Sequence, residues 1–133
     1  MKIKKDTQIF IVDDDPVWTV MLTKMLNDLG CSNILTYSNG TDCISNLQHN
    51  PKLVFLDFQM EDINGLDVLQ KIKKYNAEIG VLFCTAQEDL SVAIDAMKHG
   101  SFDFILKTNT TKQKIASIIE NMADKQIFAD KVF

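Results

Sequence analysis

Five short apolar runs, each followed by a stretch with helical spacing, restrict what this chain can fold into more than any other feature. The clearest run is Leu53-Val54-Phe55-Leu56, closed by Asp57. Four consecutive apolar residues are too few for an amphipathic helix. Bounded by Asn50-Pro51 before and Asn64-Gly65 after, they predict a strand buried on both faces. Gln8-Ile9-Phe10-Ile11-Val12 and Gly80-Val81-Leu82-Phe83-Cys84 predict two more, Ile34-Leu35-Thr36-Tyr37 a short one, and residues 102–106 the last. The intervening stretches predict helices. The first starts at Pro16 with Asp15 as N-cap. Its buried stripe is Val17, Val20, Met21, Met25 and Leu29, or the neighbouring Leu22 and Leu26. The second covers about 40–47, with Cys43, Ile44 and Leu47 inward, and the third 65–75, with Leu66, Leu69 and Ile72 inward. Leu90, Ala93, Ile94 and Met97 mark the fourth, and Ile115, Ile118, Ile119 and Met122 a last helix from about Thr110. Strand and helix alternating five times call for the α/β class, a parallel sheet with helices on both faces joined by right-handed crossovers.

At 133 residues the chain makes one domain with a real core. No apolar run is long enough to span a bilayer, and Met1-Lys2-Ile3-Lys4-Lys5 is not followed by an apolar signal core, so a cytoplasmic protein without membrane contact is expected. Cys31, Cys43 and Cys84 are odd in number and lack metal-ligand spacing, and read as reduced thiols in or near the core. The methionines read as core filler, and lysines 71, 73 and 74 as a solvated helix face. Net charge is −4, and all fourteen basic residues are lysine, so bidentate reading of bases is not expected and no direct nucleic-acid contact is predicted.

In an open parallel sheet, ligands bind beyond the carboxyl ends of the strands. Here those ends carry Asp13 and Asp14, Asp57, Thr85 and Lys107. Three carboxylates at one edge repel each other by roughly 3 kcal/mol per pair at about 5 Å and an effective dielectric of about 20. A divalent cation removes that conflict, and an oxygen-only donor set favours Mg²⁺. A lysine adds a mobile positive charge and a threonine hydroxyl one donor to an oxyanion. Together they describe phosphoryl transfer onto an aspartate, with Asp57 as nucleophile.

These pieces resemble the receiver domain of bacterial two-component response regulators. The matching segments are residues 11–16 (Ile-Val-Asp-Asp-Asp-Pro), Leu56-Asp57-Phe58-Gln59-Met60 with Gly65 downstream, Cys84-Thr85-Ala86, and residues 100–107 ending in Lys107. Each is weak alone; their order on four strand ends makes the match specific. The resemblance implies a flavodoxin-like sheet of strand order 2-1-3-4-5 with five helices. It implies that Asp57 accepts phosphoryl from a histidine kinase, a phosphotransfer protein or a small donor such as acetyl phosphate. It implies that Asp13, Asp14, Asp57 and the Gln59 backbone carbonyl hold Mg²⁺, with Mn²⁺ as a substitute. Thr85 and Lys107 become the phosphoryl-sensing pair, and Phe104 the switch aromatic that swings inward behind Thr85. The output surface is then the fourth helix, fifth strand and fifth helix, offered to a downstream protein or fused effector, with homodimerisation through that face left open. Turnover is at most slow self-dephosphorylation, so the chain is not expected to be an enzyme in its own right. Residues 1–125 are assigned to the receiver, and 126–133 to a helix extension or the start of a linker.

Two departures stand out. The family usually has a cis proline after the lysine, where this chain has Thr108; either a trans bond with a rearranged loop or a strained cis bond is expected. Glu61 stands where proline is frequent, and predicts a freer loop and altered metal affinity. Competing classes fit less well. A haloacid-dehalogenase-like phosphatase needs a second acid at Gln59, a flavodoxin phosphate site would face three acids, and no Gly-x-Gly-x-x-Gly is present. The remaining alternative is a degenerate receiver that only docks.

Overall fold

The structure is a computed structural model, and it describes residues 4–86 and 89–125. Strands β1 (Ile9–Val12), β2 (Ile34–Tyr37), β3 (Leu53–Asp57), β4 (Gly80–Thr85) and β5 (Asp103–Leu106) pair in parallel in the spatial order β2-β1-β3-β4-β5. Helices α1 (Pro16–Asp28), α2 (Gly40–Ser45), α3 (Gly65–Tyr75), α4 (Leu90–Lys98) and α5 (Lys112–Asp124) cover its two faces. This is the flavodoxin-like order expected. The chain reverses direction across the sheet between β1 and β3, so a crevice opens where their carboxyl ends diverge.

The continuous apolar strands account for the two-layer core. In β1, β3 and β4 every residue is buried, as a strand covered on both faces requires. On one face Ile9, Ile11, Leu53, Phe55 and Leu82 pack with α1 and α5 through Leu22, Leu26, Ile115 and Ile119. On the other, Phe10, Val54, Leu56, Val81 and Phe83 pack with α2, α3 and α4. All three cysteines are free and buried, and burial pushes the Cys43 thiol up to about 12. Among the described residues no helix is long and apolar enough to cross a membrane.

Several local readings are corrected. In α1 the sheet takes Trp18, Leu22 and Leu26, while Val17, Val20 and Met21 face outward at 66%, 68% and 51% exposure. The helix carries apolar residues on almost every side, so spacing could not choose the face; contact with the sheet does. In α4 the buried residues are Ala93 and Ala96, and Ile94 and Met97 are exposed. Met21 and Met97 are therefore not core filler. Val68 is buried in α3, and Leu66 only partly so. Helix α2 stops at Ser45, followed by a 3₁₀ turn at Leu47–His49. Helix α5 starts at Lys112, capped by Thr111. Lys73 is half-buried rather than fully solvated. Its ammonium donates to the Ala77 and Ile79 carbonyls at 3.2 and 2.5 Å, its stem lies against Gly100, and burial lowers its pKa. Gly100 itself sits at φ +107°, a conformation that L side chains rarely adopt. The segment 126–133 lies outside the described residues.

Candidate functional site

Each strand end delivers its polar residue for a local reason. The Asp13 amide donates to the Tyr37 carbonyl at 2.9 Å, so β2 holds the exit of β1. Asp13 Oδ1 accepts from the Asp15 amide at 2.9 Å and closes the turn. Asp15 in turn caps α1, accepting from the Val17 and Trp18 amides. Asp14 is exposed beside the buried Asp13. Asp57 ends β3 at 8% exposure. Beside it a Cβ on Gly65 would lie 2.3 Å from the Asp57 carbonyl oxygen, so only glycine allows α3 to start this close to the strand end. Thr85 ends β4, buried, with its hydroxyl donating to the Ala86 carbonyl at 3.2 Å.

Lys107 follows β5 and brings the set together. Its ammonium lies 2.7 Å from Asp13 Oδ2 and 3.3 Å from Asp57 Oδ1. Thr85 pairs in register with Leu106, the residue before Lys107, and Asp57 pairs with Cys84, the residue before Thr85. No peptide bond is cis among the described residues, so the Lys107–Thr108 bond is trans, and Lys107–Asn109 forms a 3₁₀ turn. Of the two expectations for Thr108, the trans bond is the one observed. Phe104 is half-buried on the face shared with α3 and α4, packed against the core there, while Phe102 packs on the opposite face.

The electrostatics follow from crowding. Burial first, and the Asp13 charge second, push Asp57 up to about 6 against the pull of Lys107. Burial also raises Asp13, although Lys107 and the Asp15 amide counter it. Burial alone would lower Lys107; the adjacent carboxylates of Asp13 and Asp57 outweigh it and raise its pKa. One lysine does not balance three acids. Carboxylate oxygens of Asp13, Asp14 and Asp57 lie within 4.8 Å of one another. Asp13 Oδ2 is sealed from solvent and makes no hydrogen bond of proper geometry, only the ion pair. A buried carboxylate oxygen held only by the Lys107 ion pair, close to two other carboxylates and with no nitrogen or sulfur donor in the set, fits a hard divalent cation. The groove above these groups is lined by Asp14, Asp57, Gln59, Glu61, Asp89 and Lys107.

Three contributors escaped the sequence reading. Asp62 accepts from the Gly40 and Thr41 amides at 3.2 and 2.8 Å, pinning the 58–64 loop to the start of α2. Those hydrogen bonds, the Thr41 side chain first among them, lower its pKa strongly. The freer loop expected from Glu61 therefore has a tether, which no local signal announced because the partners are about twenty residues apart. The Trp18 ring lies beneath Lys107, with Nζ 5.9 Å from its centroid. Thr110 donates its hydroxyl to the Leu106 carbonyl.

Comparison with known proteins gives the family and the fold. Residues 9–120 match the family described as the response regulator receiver domain. The chemotaxis protein CheY of Bacillus subtilis is 32% identical over 101 residues, which are 75% of this chain and 84% of CheY. The luminescence regulatory protein LuxO of Vibrio campbellii is 35% identical over 98 residues, 73% of this chain but 21% of LuxO. The chain thus spans about a fifth of the LuxO-type relatives it matches. Among solved structures, a response regulator receiver domain protein from Clostridium thermocellum superposes with a TM-score of 0.82 at 28% identity, covering 90% of this chain and 96% of the other. Fold, strand-end residues and relatives converge, and the chain belongs to the response regulator receiver domain family, a signalling family of two-component systems.

Proposed function

We propose that Asp57 is the phosphoacceptor of this receiver, taking phosphoryl from a phosphohistidine of a kinase or phosphotransfer protein in a Mg²⁺-dependent reaction. The observation that carries the reading is the position of Asp57: a half-neutralised carboxylate at the floor of an open groove, between an acid pair and Lys107. An Asp57 carboxylate oxygen attacks phosphorus, the bond from phosphorus to the imidazole nitrogen breaks, and its electron pair stays on the imidazole. Asp13, Asp14, Asp57 and the Gln59 carbonyl would hold Mg²⁺, which supplies positive charge to the phosphoryl oxygens; Mn²⁺ is expected to replace it. Lys107 leaves Asp13 for a phosphoryl oxygen, and the Thr85 hydroxyl turns from the Ala86 carbonyl to donate to another. Phe104 and α4, β5 and α5 then offer a changed face to a downstream protein or fused effector. Outward-facing Val17, Val20 and Met21, starting three residues after Asp14, give a donor protein an apolar surface. Val20→Glu should slow transfer from a protein donor several-fold and leave acetyl phosphate labelling unchanged.

A docking-only role is less well supported, because Thr108 and Glu61 leave Lys107 within reach of both buried acids. The test is beryllofluoride with Mg²⁺, read by ¹⁹F NMR, alongside labelling from acetyl phosphate. The parent should bind and label, and Asp57→Asn should do neither. Equal labelling of the Asn variant would remove the assignment.

A further inference from the structure

We propose that Thr110 is a positioning residue for Lys107, fixing the peptide plane from which that lysine projects through its hydroxyl bond to the Leu106 carbonyl. This rests on the role proposed above for Lys107. A lysine ammonium sits on a long flexible stem, so its placement depends on a fixed root. On the strand side the root is held by pairing of Leu106 with Thr85. On the other side Lys107, Thr108 and Asn109 form a 3₁₀ turn without a side-chain cap, and Thr108 and Asn109 are exposed. No proline fixes φ there. The half-buried Thr110 hydroxyl is the tie that the turn does have.

The peptide group is planar, so holding the Leu106 carbonyl also orients the Lys107 amide and Cα. Two adjacent threonines divide the work. Thr111 accepts from the Lys114 amide at 3.1 Å and caps α5, which leaves the Thr110 hydroxyl to turn back toward the strand. The root so held places the Lys107 ammonium at 2.7 Å from Asp13, 3.3 Å from Asp57 and 5.9 Å from the ring centre of Trp18, the single tryptophan of the chain. That tryptophan reports the lysine without any phosphoryl chemistry.

Thr110→Val keeps the side-chain shape and removes the donor, whereas Thr110→Ser keeps the donor. Two metal-free signals are read on the full chain: the Lys107 ammonium by ¹⁵N-lysine NMR and the Trp18 emission. Beryllofluoride is then titrated with Mg²⁺. Thr110→Val should shift both signals and weaken beryllofluoride about tenfold, the size expected for one well-placed hydrogen bond; Thr110→Ser should restore all three. A merely structural threonine would lower the urea midpoint and leave the Lys107 and Trp18 signals where the parent has them. That result, or a serine variant that behaves like valine, overturns the proposal. A parent that takes up no beryllofluoride would instead defeat the phosphoacceptor reading, with Thr110 still decided by the two metal-free signals.

Discussion

Helices α3 and α4 flank the same groove, yet they are held to the sheet very differently. The first turn of α3 is pressed against the Asp57 carbonyl through Gly65, and Asn64 caps it by accepting from the Asp67 amide at 3.0 Å. Val68, Leu69 and Ile72 are buried beneath it, and Lys73 ties its far end to the entry of β4. Helix α4 has no side-chain cap at Asp89, and it buries two alanines. The difference in buried side chains amounts to roughly 7 kcal/mol at about 0.8 kcal/mol per methylene. A phosphoryl group adds about one to three charge-assisted hydrogen bonds. On the phosphorylation proposed above, such contacts would displace the lightly held helix before the other. One wall of the groove is therefore the more firmly packed, and the other is the one expected to answer.

Truncations give the largest contrast. Ile72→Ala should cost about 2–5 kcal/mol in urea unfolding, as deletion of a fully buried branched side chain does. Met97→Ala, on the exposed side of α4, should stay within about 0.5 kcal/mol. Hydrogen exchange sharpens the same point: α4 amides should exchange by local opening well before those of α3, and beryllofluoride should slow the former most. Equal losses for the two truncations, or equal protection of the two helices, would break the asymmetry.

A smaller effect tests whether the firmly packed wall holds Asp57 in its crowded place. The folded pKa of Asp57 is raised from 3.8 to about 6. Below that window both folded and unfolded chains carry the proton. Within it the folded chain keeps a proton that the unfolded chain gives up, so stability falls as pH rises through it and stays lowered above. Asp57→Asn lacks this loss. Without metal at pH 7 the variant should be more stable by about 1 kcal/mol once screening at the groove mouth is allowed for. The gain should vanish in denaturation at pH 3.5, and Mg²⁺ should shrink it at pH 7 by stabilising the parent alone. A variant no more stable than the parent at pH 7 would mean that the loop relaxes around the charge.

Sequence pattern revealed what strands reveal. Leu53-Val54-Phe55-Leu56 could be little else, and β3 spans the residues expected, Leu53–Asp57. Asp13, Asp57, Thr85 and Lys107 were legible as a set because parallel strands bring their ends to one edge whatever the details of packing. Helix faces were less legible. Ile94 and Met97 are more apolar than Ala93 and Ala96, but close approach to the sheet selects the small residues. Lys73 looked solvated because periodicity shows nothing of the carbonyls waiting at Ala77 and Ile79. Asp62 and Thr110 act through hydrogen bonds to backbone, two across the fold and one across a turn, and neither residue type nor spacing distinguishes such bonds from those of an ordinary loop side chain.

The smallest effect concerns Phe104, which sits on the sheet face covered by the two compared helices, in the cluster that includes Ala96 and, partly buried, Val92. Lacking a hydroxyl, it fills that half-buried space without needing a partner. Tyrosine would bring a donor whose burial costs about 1 kcal/mol unless it is paired, so the outward, solvated rotamer should gain several-fold in population. Because α4 is lightly held, the change should spread along its amides and leave α3 still. NMR of Phe104→Tyr without phosphodonor should therefore show shifts concentrated in α4 and β5. Spectra identical to the parent would mean that the aromatic does not sense the lightly held wall, and shifts that extend into α3 would mean that the two walls move as one.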